Sequence, residues 1–404
     1  MFRNNFFRAY GFWHWGEGLQ TVLFTWYMTF YAGLSATQIG AYQALVLAPF
    51  LVFTVLGGAL TDRVGARLSY TVSTSLFAGI LIAYGFVDQQ LGFVPQAFFI
   101  YCCAVGIVSA ISNPAIDTFI VGATEQSVQS NGLQAANAHN LAKLTGNLSG
   151  LLLPVVLATG GFVLNGMLMA ASVVFLRRHH PSGDHARVPR GGSTTPTAAG
   201  AAVQAGMLQR LMRHYRLCPE NFDILLSSCL LGLLVIPAGY ILVPLTLRAQ
   251  FPQQGDLIAL VGIASWIGAI VATAAAKHLS ARIIRPGAVS LVIWASYGLG
   301  LLLLMQVQSF TALCLLVCCF GTVKVGKALV YGKYLYNSPV ADRGLIVSVD
   351  QTAFWGLATL GTAGMGWLVD GLGLDATIAI TSGCVLAGVC ALALRGRFAA
   401  MVQT

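Results

Sequence analysis

Charged residues are scarce in this sequence. They make up 9% of its 404 residues, whereas a soluble domain normally carries roughly 25%. Hydrophobic residues account for 57% of the chain, and the mean hydropathy is +0.76. A water-facing surface cannot be built from so few charges, which argues against an ordinary soluble protein. We therefore expect lipid to surround most of the chain.

Signatures of several protein classes are also missing. No His-Glu-x-x-His, Gly-x-Ser-x-Gly or phosphate-binding loop occurs, so neither a membrane-embedded enzyme nor an ATP-driven pump is indicated. Cys314 and Cys318 would share a helical face, but no histidine or carboxylate lies near them in sequence. The net charge is +9, yet the basic residues lack the interleaved aromatics of a nucleic-acid interface. We predict no enzyme activity, cofactor, metal or nucleic-acid partner.

Apolar runs of about 20 residues recur along the chain, and each is long enough to cross the hydrocarbon core of a bilayer. We predict membrane-spanning helices from these runs, in two sets. The first set covers residues 9–33, 38–60, 68–88, 95–121, 130–158 and 160–177. The second set covers residues 222–247, 257–280, 286–305, 308–333, 343–368 and 374–394. The predicted fold class is an all-α integral membrane protein with twelve transmembrane helices in two six-helix bundles.

A basic segment rich in proline and glycine separates the two sets of helices. It covers residues 178–218, and its composition is typical of a linker. The predicted domains are therefore residues 1–177 and 219–404, with a cytoplasmic linker between them. A shift of 212 residues aligns Gly132-Leu133 with Gly344-Leu345, as expected of parallel transporter repeats. This weak repeat indicates that the two bundles are pseudo-symmetric.

The end of the linker has an amphipathic pattern. One helical face would hold apolar side chains, namely Met207, Leu208, Leu211, Met212 and Tyr215. The other would hold Arg210, Arg213 and Arg216. This pattern predicts a short helix that either lies on the inner leaflet or caps the two halves from the cytoplasm.

Lysine and arginine are distributed unevenly between alternate loops. With a cytoplasmic amino terminus, 18 of the 22 basic residues lie on the inner side, three lie within spans, and only Arg248 lies on the outer side. This imbalance predicts a multi-pass protein of the bacterial inner membrane with both termini cytoplasmic. The first apolar run follows Arg3 and Arg8 and lacks a clear cleavage site, so we expect a first span rather than a signal peptide.

The loop after the second predicted span carries a recognisable motif. Residues 58–67 read Gly-Ala-Leu-Thr-Asp-Arg-Val-Gly-Ala-Arg, which resembles the signature Gly-x-Leu-Ala-Asp-Arg-x-Gly-Arg-Lys of the major facilitator superfamily. The resemblance implies the major facilitator fold and transport by alternating access. It also implies that Asp62, Arg63 and Arg67 form a conformational latch, with Asp117 near the end of the fourth span as its acidic partner.

The fourth and fifth spans resemble the drug and siderophore exporter branch of that family. Ser112-Asn113-Pro114-Ala115 is followed by Gly146-Asn147-Leu148-Ser149-Gly150, similar to the Pro-Ala and Gly-Pro-x-x-Gly-Gly patterns of proton antiporters. Asn147 stands where those antiporters have proline, Leu151 stands where they have a second glycine, and their span-four arginine is missing. The resemblance implies export in exchange for protons, with uptake of an organic anion by symport as the alternative.

Span one carries three polar residues on one helical face. His14, Glu17 and Gln20 recur at steps of three, and ionisable groups at membrane depth are costly unless they pair or face a cavity. Glu17 is the only carboxylate of this span, so we predict that Glu17 and His14 carry a coupling proton and that Gln20 contacts the solute. The alternative is that His14 fixes Glu17 for helix packing.

Span five carries a second polar stripe, in which His139, Lys143 and Asn147 recur at steps of four. Lys143 lies about thirteen residues into the span, near the membrane midplane, where a lone cation is hard to explain structurally. We predict that all three residues bind the solute. A pair between Lys143 and Glu17 in the same half is the alternative.

Spans ten and eleven place further charges at depth. Lys327 and Asp350 lie at similar distances in sequence from the inner ends of their spans, so at a rise of about 1.5 Å per residue they should be nearly level in the membrane. We predict that they form a structural ion pair. Lys324 is then left to face the solute. Aromatic and polar residues could also line the pathway: Tyr331, Trp266 and Trp355, with Trp26, Tyr42, Gln43 and Tyr240.

Lysines on both halves would give a cationic central cavity, which favours an anionic or carboxylate-bearing solute. We therefore predict a monomeric secondary transporter that moves a small anionic or amphiphilic, siderophore- or drug-like molecule. Its partners would be the solute, protons and membrane lipid. A receptor with a transporter fold that binds without transport is a further alternative.

Overall fold

The computed structural model describes residues 4–120, 123–124, 128–179, 200–279, 282–339 and 342–402. Within these ranges every regular element is a helix. The prediction of an all-α protein is confirmed. Twelve long helices form two sets of six, with a shorter helix between the sets.

The first half contains helices α1 to α6. They are α1, Asn5–Trp26 with the π-helical turn Tyr27–Tyr31; α2, Ala36–Leu47 and Pro49–Val64; α3, Ala66–Leu91; α4, Pro95–Asp117; α5, Val128–Ser149; and α6, Leu153–Arg177.

The second half contains helices α7 to α12. They are α7, Pro219–Leu230, Leu231–Val235 and Ile236–Gln250; α8, Ile258–His278; α9, Pro286–Leu304; α10, Phe310–Phe320 and Val323–Tyr336; α11, Arg343–Leu372; and α12, Leu374–Leu394. Gly200–Leu217 forms a linker helix between the halves.

Nine helical segments among the described residues are long and apolar enough to cross a membrane. Most of α5 and all of α6 count together as one segment, Asn137–Arg177. Helices α1 and α11 are not among the nine, because glycine, tryptophan and polar residues lower their hydropathy. The length and composition of the segments agree with the predicted membrane location.

The boundary between α5 and α6 differs from the prediction. The sequence pattern placed it at residue 159, but the structure has a 3₁₀ turn over Gly150–Leu152. Pro154 then stands in the first turn of α6, where the missing N–H of proline costs no helical hydrogen bond. The apolar run continues through the turn, so hydropathy alone gave no sign of it.

Glycines let α1 and α5 approach closely. A Cβ on Gly18 would lie 2.6 Å from the carbonyl oxygen of Lys143, and a Cβ on Gly146 would lie 2.7 Å from the Cα of Gly18. Side chains larger than hydrogen would therefore force the two helices apart. This contact fixes the depth of the polar stripes that both helices carry.

The two halves meet where α2 packs on α11 and α5 packs on α8. At one end of the bundle, a Cβ on Gly40 would clash with the carbonyl oxygen of Thr362, and one on Gly366 would clash with that of Ala36. This end carries loops 32–35 and 92–94. Arg248 is the one basic residue that the predicted topology assigns to this side of the membrane, so we call it the arginine-poor end.

The linker helix packs on the second half. Tyr215 Oη lies 3.0 Å from Tyr334 Oη, and Arg210 forms an ion pair with Asp342 at 3.3 Å. Both contacts are with the second half, so the choice between a cap on the two halves and a helix on the inner leaflet stays a prediction. Met212 and Leu217 are exposed, and the predicted contacts of Met207 and Leu208 lie outside the described side chains.

Candidate functional site

A cavity of about 270 Å³ lies between the two halves. The first half contributes Thr21, Val22, Thr25, Lys143 and Asn147. The second half contributes mainly apolar and aromatic side chains, among them Tyr240, Val261, Trp266, Tyr297 and Phe320, together with Ser265 and Lys324. Both predicted solute lysines therefore line one shared cavity.

Glu17 is the centre of a charged cluster beside this cavity. Its Oε2 atom lies 2.9 Å from Lys143 Nζ and 2.7 Å from His14 Nδ1. The side chains of Glu17 and Lys143 are 22% and 15% exposed. The alternative given for this lysine, a pair with Glu17, is therefore present in the structure. Lys143 also lines the cavity, and its role in solute binding stays a prediction.

His139 lies behind the cluster rather than at the cavity wall. Its ring stands edge-on to that of His14, with centroids 4.2 Å apart, and is 6.1 Å from the ring of Trp266. Asn147 lines the cavity and donates from Nδ2 to the carbonyl oxygen of Lys143. Of the three residues in the α5 stripe, His139 therefore packs against the charged cluster, whereas Lys143 and Asn147 line the cavity.

Lys324 has an aromatic neighbour instead of a carboxylate. Its Nζ lies 3.4 Å from the ring centroid of Trp266, a geometry in which the ring quadrupole attracts the ammonium group. Lys324 is exposed to the cavity. Among the ion pairs of the described residues, none includes this lysine.

Lys327 and Asp350 lie together, at 3.3 Å between Nζ and Oδ2. Asp350 is fully buried, and Lys327 Nζ also lies 3.9 Å from the ring centroid of Phe354. Neither residue lines the cavity described above. The geometry is that of a structural pair.

Besides His139, three predicted solute residues lie away from the cavity lining. Gln20 points into the first half, where it donates to Tyr101 Oη at 2.6 Å and accepts from Asn165. Tyr331 packs against Tyr334. Trp355 donates to Gln351 and faces Phe50 across the halves. Helical periodicity gave the spacing of these residues, but packing against neighbouring helices decided their direction.

The predicted latch is described in part, because the side chain of Asp62 lies outside the described residues. Arg63 is exposed, and Arg67 donates to the carbonyl oxygen of His179. Within the described side chains, Asp117 forms no ion pair with either arginine. The latch therefore stays a prediction.

Contacts that the sequence analysis missed join the halves at the arginine-poor end. Asp370 of α11 accepts hydrogen bonds from the backbone N–H groups of Ala36 and Thr37, at 3.1 and 2.8 Å. These groups open α2, so a carboxylate of one half caps a helix of the other. Arg248 donates to the carbonyl oxygen of Leu34 at 2.7 Å. The capping box at Ser35 and Gln38 marked the helix start, but no local pattern identified a partner 334 residues away.

A second missed group is Asp88, which is 3% exposed. It accepts a hydrogen bond from Tyr27 at 2.5 Å, and Tyr27 Oη lies 2.8 Å from Tyr84 Oη. Tyr27 begins the π-helical turn of α1. The carboxylate follows an apolar run at a predicted helix end, where sequence reasoning places solvent-exposed polar residues.

Comparisons with known proteins agree with this architecture. A family model described as Major Facilitator Superfamily matches residues 7–336. A search of curated protein sequences finds no match.

Solved structures of transporters share the fold. The nucleoside transporter NupG superposes with a TM-score of 0.72 at 14% identity, covering 97% of this chain and 98% of that one. A D-xylose–proton symporter gives 0.71 at 15% identity, with 96% of each chain covered. The xylose transporter XylE from E. coli, in an inward-open conformation, gives 0.67 at 15%, covering 98% and 95%. At this identity the likeness shows the fold alone.

Proposed function

The chain belongs to the major facilitator superfamily, and from that premise we propose that it carries a small anionic solute through the central cavity together with protons that bind Glu17. The family and its fold indicate a secondary transporter rather than an enzyme. The observation that carries the proposal is the ion pair between Glu17 and Lys143 at 2.9 Å, because Lys143 lines the cavity and Glu17 is 22% exposed.

The sign of the coupling follows from the charges of this pair. With Glu17 ionised, Lys143 is neutralised and attracts an anion weakly. A proton on Glu17 removes the counter-charge and leaves the Lys143 ammonium group available to the solute. Proton binding therefore strengthens anion binding, and by linkage the anion strengthens proton binding. Such positive coupling favours movement of the proton and the anion in the same direction.

Alternating access then requires the contacts at the arginine-poor end to break and re-form. Asp370 and Arg248 tie the second half to backbone groups of the first half there. Their separation would open the cavity to that side, while the loop with Arg63 and Arg67 at the other end closes. Both steps move whole bundles and leave the Glu17 cluster intact, because its members all belong to the first half.

Export in exchange for protons is the second candidate. The glycine contact between α1 and α5, at Gly18 and Gly146, supports it, because Gly146 falls in the segment that resembles the exporter branch. Exchange requires the proton and the solute to compete for one site, which suits a siderophore- or drug-like amphiphile that displaces the proton from Glu17.

Proteoliposomes would separate these candidates. We expect uptake of radiolabelled organic anions, corrected for empty liposomes, to rise when protons flow in the same direction as the anion. Stimulation by the opposite gradient would support exchange. The panel should include aliphatic and aromatic carboxylates, sulfonates and a catecholate. Absence of flux above empty liposomes for every member would refute transport of anions.

Glu17→Gln tests the coupling site. We expect the variant to lose stimulation by the pH gradient while it retains solute–solute exchange, because Lys143 then stays available to the anion. Asp375→Asn is the matched control, since Asp375 is an exposed carboxylate in the first turn of α12. Unchanged stimulation in Glu17→Gln would remove Glu17 from the mechanism.

We also propose the predicted orientation, with both termini in the cytoplasm of a bacterium and the protein monomeric in its inner membrane. The uneven distribution of lysine and arginine supports it. Residues 1–177 and 219–404 would be the moving units. Labelling of single cysteines at Gln90 and at Arg397 in intact cells tests this topology, since only the first should react with an impermeant reagent.

A further inference from the structure

The cavity has one cation with no carboxylate partner among the described residues. Lys143 is paired with Glu17 at 2.9 Å, whereas Lys324 contacts the ring of Trp266, at 3.4 Å. With Glu17 ionised, the described cavity wall thus carries a single uncompensated positive charge. A solute with one negative charge would neutralise it, and a proton on Glu17 would free the Lys143 ammonium group in the same cavity as a second cation for that anion.

The ammonium group of Lys324 covers an aromatic face that a solute could use. A cation over an exposed indole is worth roughly 0.5–1 kcal/mol, and more when water is excluded. A hydrogen bond to a charged group contributes roughly 1.5–3 kcal/mol. A carboxylate in the cavity would therefore draw Lys324 away from Trp266 and leave the indole face uncovered.

We propose that the solute is a planar aromatic monocarboxylate, whose carboxylate binds Lys324 and whose ring takes the place of the ammonium group on Trp266. The inference rests on the proposed transport of an anion and names the class of anion. An aliphatic acid could bind Lys324, but it would leave the face of Trp266 without a planar partner. Ring–ring contacts of this kind add roughly 0.5–1.5 kcal/mol beyond the buried area.

The rest of the cavity wall suits such a ring. Val261, Tyr297 and Phe320 present apolar and aromatic surface around Trp266. The volume of about 270 Å³ lies just below the roughly 300–1,000 Å³ of typical ligand pockets. Both features favour a solute with one ring over a large chelator.

Binding to the purified full-length protein in nanodiscs tests the inference without a transport assay. Three probes of similar size are compared. Cyclohexanecarboxylate differs from benzoate in having a non-planar ring, and benzamide differs from benzoate in being neutral. We expect isothermal titration to give a Kd for benzoate at least about tenfold below that of either other probe. Equal binding of benzoate and cyclohexanecarboxylate, or no binding of benzoate, would overturn the inference.

Variants test whether Trp266 causes the preference for a planar ring and whether Lys324 causes the preference for a charged probe. Trp266→Leu should reduce the benzoate preference over cyclohexanecarboxylate to about one, and Trp266→Phe should keep most of it. Lys324→Met should remove the preference for benzoate over benzamide, while Lys277→Met, at an exposed lysine in the last turn of α8, should not. A Trp266→Leu variant that keeps the ring preference would contradict the inference.

The outcomes separate this inference from the proposed function. Proton-driven flux of aliphatic anions without any ring preference would leave the transport proposal standing and overturn the aromatic assignment. A tryptophan fluorescence change on benzoate binding that disappears in Trp266→Phe would support the assignment even in a protein reconstituted without a proton gradient.

Discussion

Each half of the protein contains one lysine–carboxylate pair at membrane depth, and the two differ in their access to water. Glu17 and Lys143 are 22% and 15% exposed, beside the cavity. Lys327 is 20% exposed, but its partner Asp350 is fully buried. Water therefore reaches the carboxylate of the first pair but not the carboxylate of the second. Burial of the carboxylate is what distinguishes the two pairs.

The largest effect is expected from breaking the buried pair. Lys327→Met would leave the fully buried Asp350 carboxylate without its cation, which typically costs about 3–5 kcal/mol at a buried site. We expect a large fall in the Tm of the detergent-solubilised protein and a low yield. The double variant Asp350→Asn with Lys327→Met should recover most of the loss. A single variant as stable as the parent would show that Asp350 does not depend on this lysine.

Removal of the lysine from the cavity pair should reduce stability only slightly but reduce transport strongly. Lys143→Met leaves Glu17 in contact with His14 and water, so the expected loss of stability is only about 1 kcal/mol. Anion uptake should nevertheless fall at least about tenfold, because the coupled cation is gone. Thermal unfolding and proteoliposome uptake would be measured on the same preparation, with Lys277→Met as the control. A stability loss as large as that of Lys327→Met would erase the difference between the two pairs.

Asp370 adds a carboxylate whose partners belong to the other half. Removal of a helix cap costs about 1 kcal/mol, so Asp370→Ala should shift the equilibrium between conformations roughly fivefold towards an open arginine-poor end. Spin labels at exposed Gln90 and Gln308, on opposite halves at this end, would report the distance. Asp375→Ala is the control at the same end, and an unchanged distance distribution in Asp370→Ala would exclude the cap as a tie between the halves.

Much of the fold was predictable, because hydropathy and helix length depend on local composition. The twelve helices and the linker follow from apolar runs and from the basic segment after Arg177. The spacing of His14 with Glu17 and of Lys143 with Asn147 also brought these residues to one region, since a helical face is a local property. The α5–α6 turn was misplaced because Pro154 lies inside a continuous apolar run.

The site was predictable only where partners lie on polar stripes. Glu17 and Lys143 were both singled out, but their contact depends on the glycine packing of α1 against α5, which involves residues far apart in sequence. Gln20 belongs to the same stripe as Glu17 and yet turns towards Tyr101. Asp370 was missed because its partners are backbone groups, which carry no sequence signal.

His214 of the linker helix extends the comparison to a buried base with a neutral partner. Its side chain is 7% exposed, and Nε2 lies 3.0 Å from Nδ2 of Asn221. An amide nitrogen only donates, so Nε2 accepts and the imidazole is neutral in this contact. Burial lowers the pKa of His214, and the carboxylate of Asp342 opposes this effect.

The smallest effect is expected from this histidine. Because its pKa is lower in the folded protein than in the unfolded chain, its contribution to stability is present above the unfolded value of about 6.5. Below that value the unfolded chain takes up a proton first, so the contribution decreases; it is fully lost as the pH falls through the lowered pKa of the folded protein, where Nε2 becomes a donor facing a donor. One lost hydrogen bond is worth about 1 kcal/mol, so the Tm should fall by about 2 °C between pH 7.5 and pH 5.5. His214→Gln keeps an acceptor that does not titrate and should lack this fall; an equal fall in both proteins would place the pH sensitivity elsewhere, with the partly exposed Glu17 cluster as the first candidate.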